Sequence, residues 1–86
     1  MSTAITPTIS GLERQVLDLL ISEYEAPAET TGQTDFELLG FDSLVLVEVG
    51  VALTKRYGVE VGDDELKSAG NAARTAQLLV SKGVIA

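Results

Sequence analysis

The sequence predicts an all-α domain, a small four-helix bundle of three main helices plus one short helix. Three observations predict it. Hydrophobic residues fill 45% of the chain but aromatics only 5%, so the core must be built from Leu, Val, Ile and Ala, a palette that favours packed helices over a sandwich. Apolar residues recur at helical spacing in two long runs, one ending at Tyr24 and one from Leu44 to Tyr57. Gly, Pro, Asn and Asp then punctuate the chain between these runs, as turns and caps do. With 86 residues the chain makes one domain, residues 1–86, close to the size at which a single core becomes marginal.

Residues 1–7 are small and polar and read as a flexible lead-in. The first helix is expected from about Thr8 or Ser10 to Tyr24. Ser10 and Glu13 have the spacing of a capping box, and Thr6-Pro7 offers an earlier start with Pro7 at the first helical position. Its core stripe is Ile9, Leu12, Val16, Leu20 and Tyr24, widened by Leu17 and Ile21. Glu25 to Thr34 has no periodicity and forms a long loop, ended by a short turn in which Phe36, Leu38 and Leu39 are the expected apolar anchors.

The second helix, Ser43 to about Tyr57, has two apolar faces. Leu46, Val49, Gly50, Leu53 and Tyr57 form a stripe for the core, and with Leu12, Val16 and Leu20 they supply its centre. Leu44, Val47, Glu48 and Val51 fall on a neighbouring face that is more apolar than solvent requires. From spacing alone this face is either an interaction strip or one more buried side of a central helix. Gly58 ends the helix, and Lys55 and Arg56 suit its negative end. Val59-Glu60-Val61 alternates like a strand but has no partner run, so no sheet is expected. Asp63-Asp64-Glu65-Leu66 starts the short third helix. Ala69-Gly70 breaks the chain, and Asn71 caps a fourth helix with a thin face of Ala72, Ala76, Leu79 and Val80, ended by Lys82-Gly83 before a short apolar tail.

Composition excludes several kinds of chemistry. There is no cysteine and no histidine, so no disulfide framework, no thiolate, no Ser-His-Asp site and none of the usual zinc ligands is available. The acidic run Asp63-Asp64-Glu65 lacks the alternating ligand spacing of a calcium loop, so no metal site is expected. No apolar run approaches the roughly 20 residues of a membrane span, and no basic-then-apolar leader is visible, which makes a cytoplasmic protein the expectation. Net charge is −7 and unevenly placed: eight acids and no bases lie between Gln15 and Thr54, but four acids and five bases from Lys55 onward. Such a field disfavours nucleic acid and anionic membrane. It either steers basic protein surfaces toward the N-terminal half or simply keeps the surface soluble.

The stretch with chemical content is Leu39-Gly40-Phe41-Asp42-Ser43-Leu44. Gly40 allows a tight turn, and Asp42 and Ser43 are both residue types that begin helices. By themselves these residues are compatible with a plain cap or with a functional serine. Without a histidine no resident base activates Ser43, so a functional Ser43 reads better as a substrate for another enzyme than as a catalyst.

Phe36-x-x-Leu39-Gly40-Phe41-Asp42-Ser43-Leu44, followed by Glu48, resembles the signature of the acyl carrier proteins, and the helix spacing extends that resemblance over most of the chain. The resemblance implies an acyl-carrier-like bundle in which Ser43 carries covalent 4'-phosphopantetheine, taken from coenzyme A, whose thiol holds acyl intermediates as thioesters. It implies that Asp42 is read by the modifying enzyme, and that Leu44, Val47, Glu48 and Val51 face partners. It also implies a loop that crosses the bundle between the two long helices, and valines at 59 and 61 that plug the core. The implied partners are a phosphopantetheinyl transferase and an acyl-loading enzyme, ketosynthase or acyltransferase, with the carrier itself a monomer. The helix start is a physically suitable place for a phosphodiester, since unpaired N–H groups and the macrodipole favour an anion there.

The wording around Phe41-Asp42-Ser43 is closest to carriers of polyketide assembly lines. Carriers of fatty acid synthesis usually have a strongly acidic second helix, whereas Val45, Thr54, Lys55 and Arg56 stand here where acids are frequent. Peptidyl carriers more often read Gly-Gly-x-Ser at the attachment point. The expected function is therefore a discrete acyl carrier of polyketide-type or other specialised biosynthesis. An aminoacyl, peptidyl or D-alanyl carrier is the alternative within the family, and an unmodified helical adaptor is the alternative of another class. Ser2, Ser10, Ser22, Ser68 and Ser81 lack the motif.

Overall fold

The computed structural model describes residues 8–84, with side chains from residue 11 onward. The lead-in at 1–7, the Pro7 start, the side chain of Ile9 and the end of the apolar tail lie outside the described residues. Four helices follow in order: α1 Thr8–Glu23, α2 Ser43–Tyr57, α3 Asp63–Ala69 and α4 Ala72–Ser81. Among the described residues there is no strand, and Val59-Glu60-Val61 is an extended link.

α1 packs on α4, α2 on α3, and α3 on α4. Leu12, Val16, Leu20, Leu46, Val49 and Leu53, the six residues expected at the centre, are all buried there. Leu66, Ala72, Ala76 and Leu79 close the core from α3 and α4, and Val61 and Val84 plug it from the connecting segments. Each fully buried Leu contributes roughly 1.5–3 kcal/mol. Leu19 is buried too. It stands seven residues after Leu12 and so returns to the same face of α1, a position the expected stripe omitted.

Local chemistry sets the helix ends. α1 already includes Thr8 and Ile9, so Ser10 lies inside the helix and is not its cap. α1 closes without a glycine: Glu25 takes a left-handed φ of 64°, and the N–H groups of Tyr24 and Ala26 both donate to the Leu20 carbonyl at 3.1 Å. α2 ends at Gly58, whose φ of 73° lets its N–H return to the Thr54 carbonyl. α3 is started by Gly62, whose N–H donates to the Glu65 carboxylate at 3.1 Å. α4 is capped as expected, with Asn71 Oδ1 accepting from the Arg74 N–H at 2.8 Å. Tyr57 is only half-buried, and its hydroxyl donates to Gln15 Oε1, tying the end of α2 to α1.

The loop between α1 and α2 crosses the bundle and is held at three points. Ala26 is buried, the Gly32 carbonyl accepts from the Ala73 N–H at 3.0 Å, and the Phe36 N–H donates to the Gly70 carbonyl at 2.8 Å. Phe36 is buried and Leu39 half-buried, as expected of anchors, but Leu38 is 79% exposed. Phe36 to Gly40 is a single helix-like turn, so residues 36 and 39 share its inner side and 38 falls on the outer one.

Candidate functional site

The site is the junction of the Phe36–Gly40 turn with the start of α2. Phe36 fixes the turn: its ring lies in the core, stacked on Phe41 with centroids 5.9 Å apart, while its N–H is bound to Gly70 at the end of α3. Gly40 then adopts a φ of 75°, which a side chain would strain, and the Phe41 N–H closes back on the Phe36 carbonyl. Asp42 follows in extended conformation. Its carboxylate accepts from the Val45 N–H at 3.0 Å and its carbonyl accepts from the Leu46 N–H at 3.0 Å.

This geometry separates two roles that the sequence left undivided. Asp42 is the cap of α2, and Ser43 is its first helical residue. The Ser43 side chain is exposed, and no hydrogen bond from another described residue engages its hydroxyl. Capping therefore does not account for the serine. The N–H groups of Ser43 and Leu44, the first of the helix, have no acceptor within it and point toward the helix start. An exposed, unengaged hydroxyl beside a positive helix end fits the covalent attachment of a phosphodiester, and it fits an enzyme reaching that hydroxyl from solvent.

Beyond Ser43 the outer face of α2 is exposed. Leu44 is 67% exposed, Val47 43% and Val51 51%, and Glu48 is exposed with them. The buried face (Leu46, Val49, Gly50 and Leu53) is a different side of the same helix, so the reading of α2 as buried on most sides does not hold. The structure thus brings Asp42, Ser43, Leu44, Val47, Glu48 and Val51 onto one continuous surface.

Tyr24 and Ala52 join this surface. With Val47, Glu48, Val51 and Lys55 they line an open groove of about 410 Å³ between the end of α1 and α2. The Tyr24 hydroxyl donates to the Glu48 carbonyl at 3.2 Å. Burial, together with the nearby carboxylates of Glu48 and Glu23, raises its pKa above the ordinary tyrosine value and keeps it a donor. In the sequence Tyr24 is only the last member of a core stripe; in the structure its hydroxyl reaches across to α2. Among the described residues no group of three or more acidic side chains comes together to hold a metal ion, and no helix is long and apolar enough to cross a membrane.

Residues 14–79 match the family model described as "Phosphopantetheine attachment site". Among curated relatives, the polyketide-8 synthase acyl carrier protein 2 of Streptomyces avermitilis is 42% identical over 78 residues, covering 87% of this chain and 90% of its own length. The monensin polyketide synthase acyl carrier protein of Streptomyces virginiae is 31% identical over 62 residues, covering 72% of this chain and 70% of its own.

Proposed function

The chain belongs to the phosphopantetheine-attachment family of acyl carrier proteins, and from that premise we propose that Ser43 is its point of attachment and that it serves polyketide-type biosynthesis. It is a carrier and not a catalyst, and 4'-phosphopantetheine is its prosthetic group. One observation carries the assignment to Ser43. Asp42 alone caps α2, leaving an exposed serine hydroxyl that no hydrogen bond from the described residues engages.

The modifying step follows from what this chain has and lacks. The Ser43 oxygen forms the new phosphodiester, the nucleotide part of coenzyme A leaves, and the proton goes to a base on the transferase, because this chain has no histidine to take it. Asp42 holds the helix start in place and adds the negative charge that the transferase reads. The group supplies a thiol at the end of a flexible tether, which holds an acyl thioester and sets its effective concentration at each partner's active site.

The partner set includes a phosphopantetheinyl transferase and enzymes of polyketide synthesis. The finer reading is an acyl-loading enzyme, ketosynthase or acyltransferase, met by a monomeric carrier through Leu44, Val47, Glu48 and Val51, in the cytoplasm. The exposure of those four side chains supports the docking surface, and the two relatives, both carriers of polyketide synthases, support the choice of partners. The single continuous core running from α1 to α4 supports a single carrier domain.

The test is intact mass after incubation with coenzyme A and a broad-specificity transferase. Wild type should gain one phosphopantetheine and Ser43→Ala none. Gain on the alanine variant would move the attachment site elsewhere, and no gain on wild type would favour an unmodified adaptor.

A further inference from the structure

Ser43 is the first residue of α2, and its own N–H has no acceptor in the helix, so its position depends on the chain that leads into it. That chain is bonded backward, in two steps, to the end of another helix. The Phe41 N–H donates to the Phe36 carbonyl at 3.1 Å, and the Phe36 N–H donates to the Gly70 carbonyl at 2.8 Å. Residue 36 therefore joins the end of α3 to the residue just before the Asp42 cap. Side-chain packing gives the turn little support on this flank. A cavity of about 180 Å³ lies between Phe36 and Phe41 of the turn, Leu46 of α2, and Lys67 and Gly70 at the end of α3. The 2.8 Å bond joins two of the residues that line it.

Gly70 holds its carbonyl in place through a φ of 83°. Its N–H turns back to the Leu66 carbonyl at 2.9 Å and closes α3, which leaves its own carbonyl outside the helix. Closing a helix accounts for a glycine here but not for the contact with Phe36. Gly58 and Gly83 take the same left-handed backbone after α2 and α4, with φ of 73° and 95°. Among the described residues neither of their carbonyls accepts a backbone hydrogen bond.

We propose that Gly70 is a positioning residue for the modification of Ser43, acting through the Phe36 N–H on the turn that presents the hydroxyl. The proposal rests on the reading of Ser43 as the attachment point. A transferase that grips the carrier still has to align that hydroxyl with the pyrophosphate of coenzyme A. Without the Gly70 bond the Phe36 N–H is unpaired, and the cavity gives the turn room to shift, carrying Phe41, Asp42 and Ser43 with it. A displacement near 1 Å costs on the order of 10²-fold in rate, so a fraction of it is measurable.

The experiment measures single-turnover transfer from coenzyme A by a broad-specificity phosphopantetheinyl transferase in excess, on Gly70→Ala, Gly58→Ala and Gly83→Ala. A Cβ at each of the three meets nothing within 4 Å, so each variant bears only the strain of its φ and the three should lose similar stability. Gly70→Ala should lower the maximal rate about 10-fold without raising the half-saturating enzyme concentration. Gly58→Ala and Gly83→Ala should keep the wild-type maximal rate, because saturating enzyme reverses partial unfolding, which raises only the half-saturating concentration. Gly70→Asn should recover most of the rate, since asparagine enters the left-handed region more readily than alanine. Should Gly70→Ala not fold, an ester in place of the Asp35–Phe36 peptide bond removes the same N–H without touching Gly70, and should show the same loss. A wild-type maximal rate in Gly70→Ala or in the ester variant would overturn the proposal. Equal losses at all three glycines would do so too, as would a Gly70→Asn variant no faster than alanine. Wild type gaining no mass at all would strike the reading of Ser43 instead, which keeps the two failures distinct.

Discussion

A Cβ placed on Gly50 would stand 2.6 Å from the carbonyl oxygen of Val61, so the link after α2 can lie against the helix only because residue 50 has no side chain. Thr54 fixes the same approach from the other side. Its hydroxyl donates to the Gly50 carbonyl at 2.8 Å and accepts from the Val61 N–H at 3.1 Å. This contact seats Val61 in the core and sets where α3 begins.

Gly50→Ala should therefore destabilise the fold in spite of alanine's better helix propensity. Propensity gives back about 1 kcal/mol, whereas forcing backbone away from a packed contact costs roughly 1–3 kcal/mol or more. A net loss is expected, read as a lower denaturant midpoint. Thr54→Val, close in shape, should lose about 1–3 kcal/mol because the Val61 N–H is left unpaired. A midpoint raised by Gly50→Ala would show that the link yields freely.

Glu25 predicts a change of the opposite sign. Its φ of 64° costs a residue with a Cβ about 1–2 kcal/mol; glycine would relieve that strain but lose part of the gain, because its greater freedom in the unfolded chain opposes folding. Glu25→Gly should raise the denaturant midpoint by the equivalent of about 0.5–1 kcal/mol. An unchanged or lowered midpoint would mean that the Glu25 side chain contributes something that offsets its backbone strain.

The contrast between these residues shows what sequence can carry. Leu46, Val49 and Leu53 were legible as core because a 3.6-residue period is a property of the chain itself. Asn71 was legible as a cap because its side chain acts on the next turn. Gly50 was legible only as a place on the stripe, since its function lies in a contact with residue 61. Leu38 was misplaced because hydrophobicity says nothing of which side of a single turn faces inward. At the site, Asp42 and Ser43 had equal claims to the cap until the extended backbone of Asp42 decided between them. The outer strip of α2 is visible as surplus apolar residues, whereas Tyr24 joins it only through its contact with Glu48, 24 residues away in the chain.

Acid should weaken the clasp between α3 and α4. Glu65 accepts from Lys82 Nζ at 2.8 Å and from the Gly62 N–H, and these bonds hold its carboxyl below the ordinary value of 4.5. A group depressed in the folded state contributes stability that is present above its unfolded pKa and lost as pH falls through the folded one. Glu65→Gln should therefore lower the denaturant midpoint at pH 7, and the gap to wild type should close below about pH 4.5. The gap should also narrow with salt, as expected of an exposed pair. A gap of constant size from pH 7 to pH 3 would show that the carboxylate's charge contributes nothing.

The two faces of α2 can be separated by substitutions a few residues apart. Leu53 is fully buried, and Leu53→Ala should cost on the order of 2–5 kcal/mol. For a domain of this length that is a large part of the whole, since stability runs near 0.05–0.15 kcal/mol per residue. Val47 is 43% exposed, so Val47→Asp can keep its carboxylate in water and should change stability by no more than about 0.5–1 kcal/mol. Binding should show the reverse order. Aspartate at 47 places a charge in the apolar line that a docking enzyme must desolvate, so transfer from coenzyme A should slow markedly while circular dichroism stays that of wild type. Leu53→Ala, studied under conditions where it remains folded, should be modified at nearly the wild-type rate. An unfolded Val47→Asp would place Val47 in the core. A folded one with undiminished transfer would show that the transferase does not use this face, and would leave its exposed leucine and valines to a later partner.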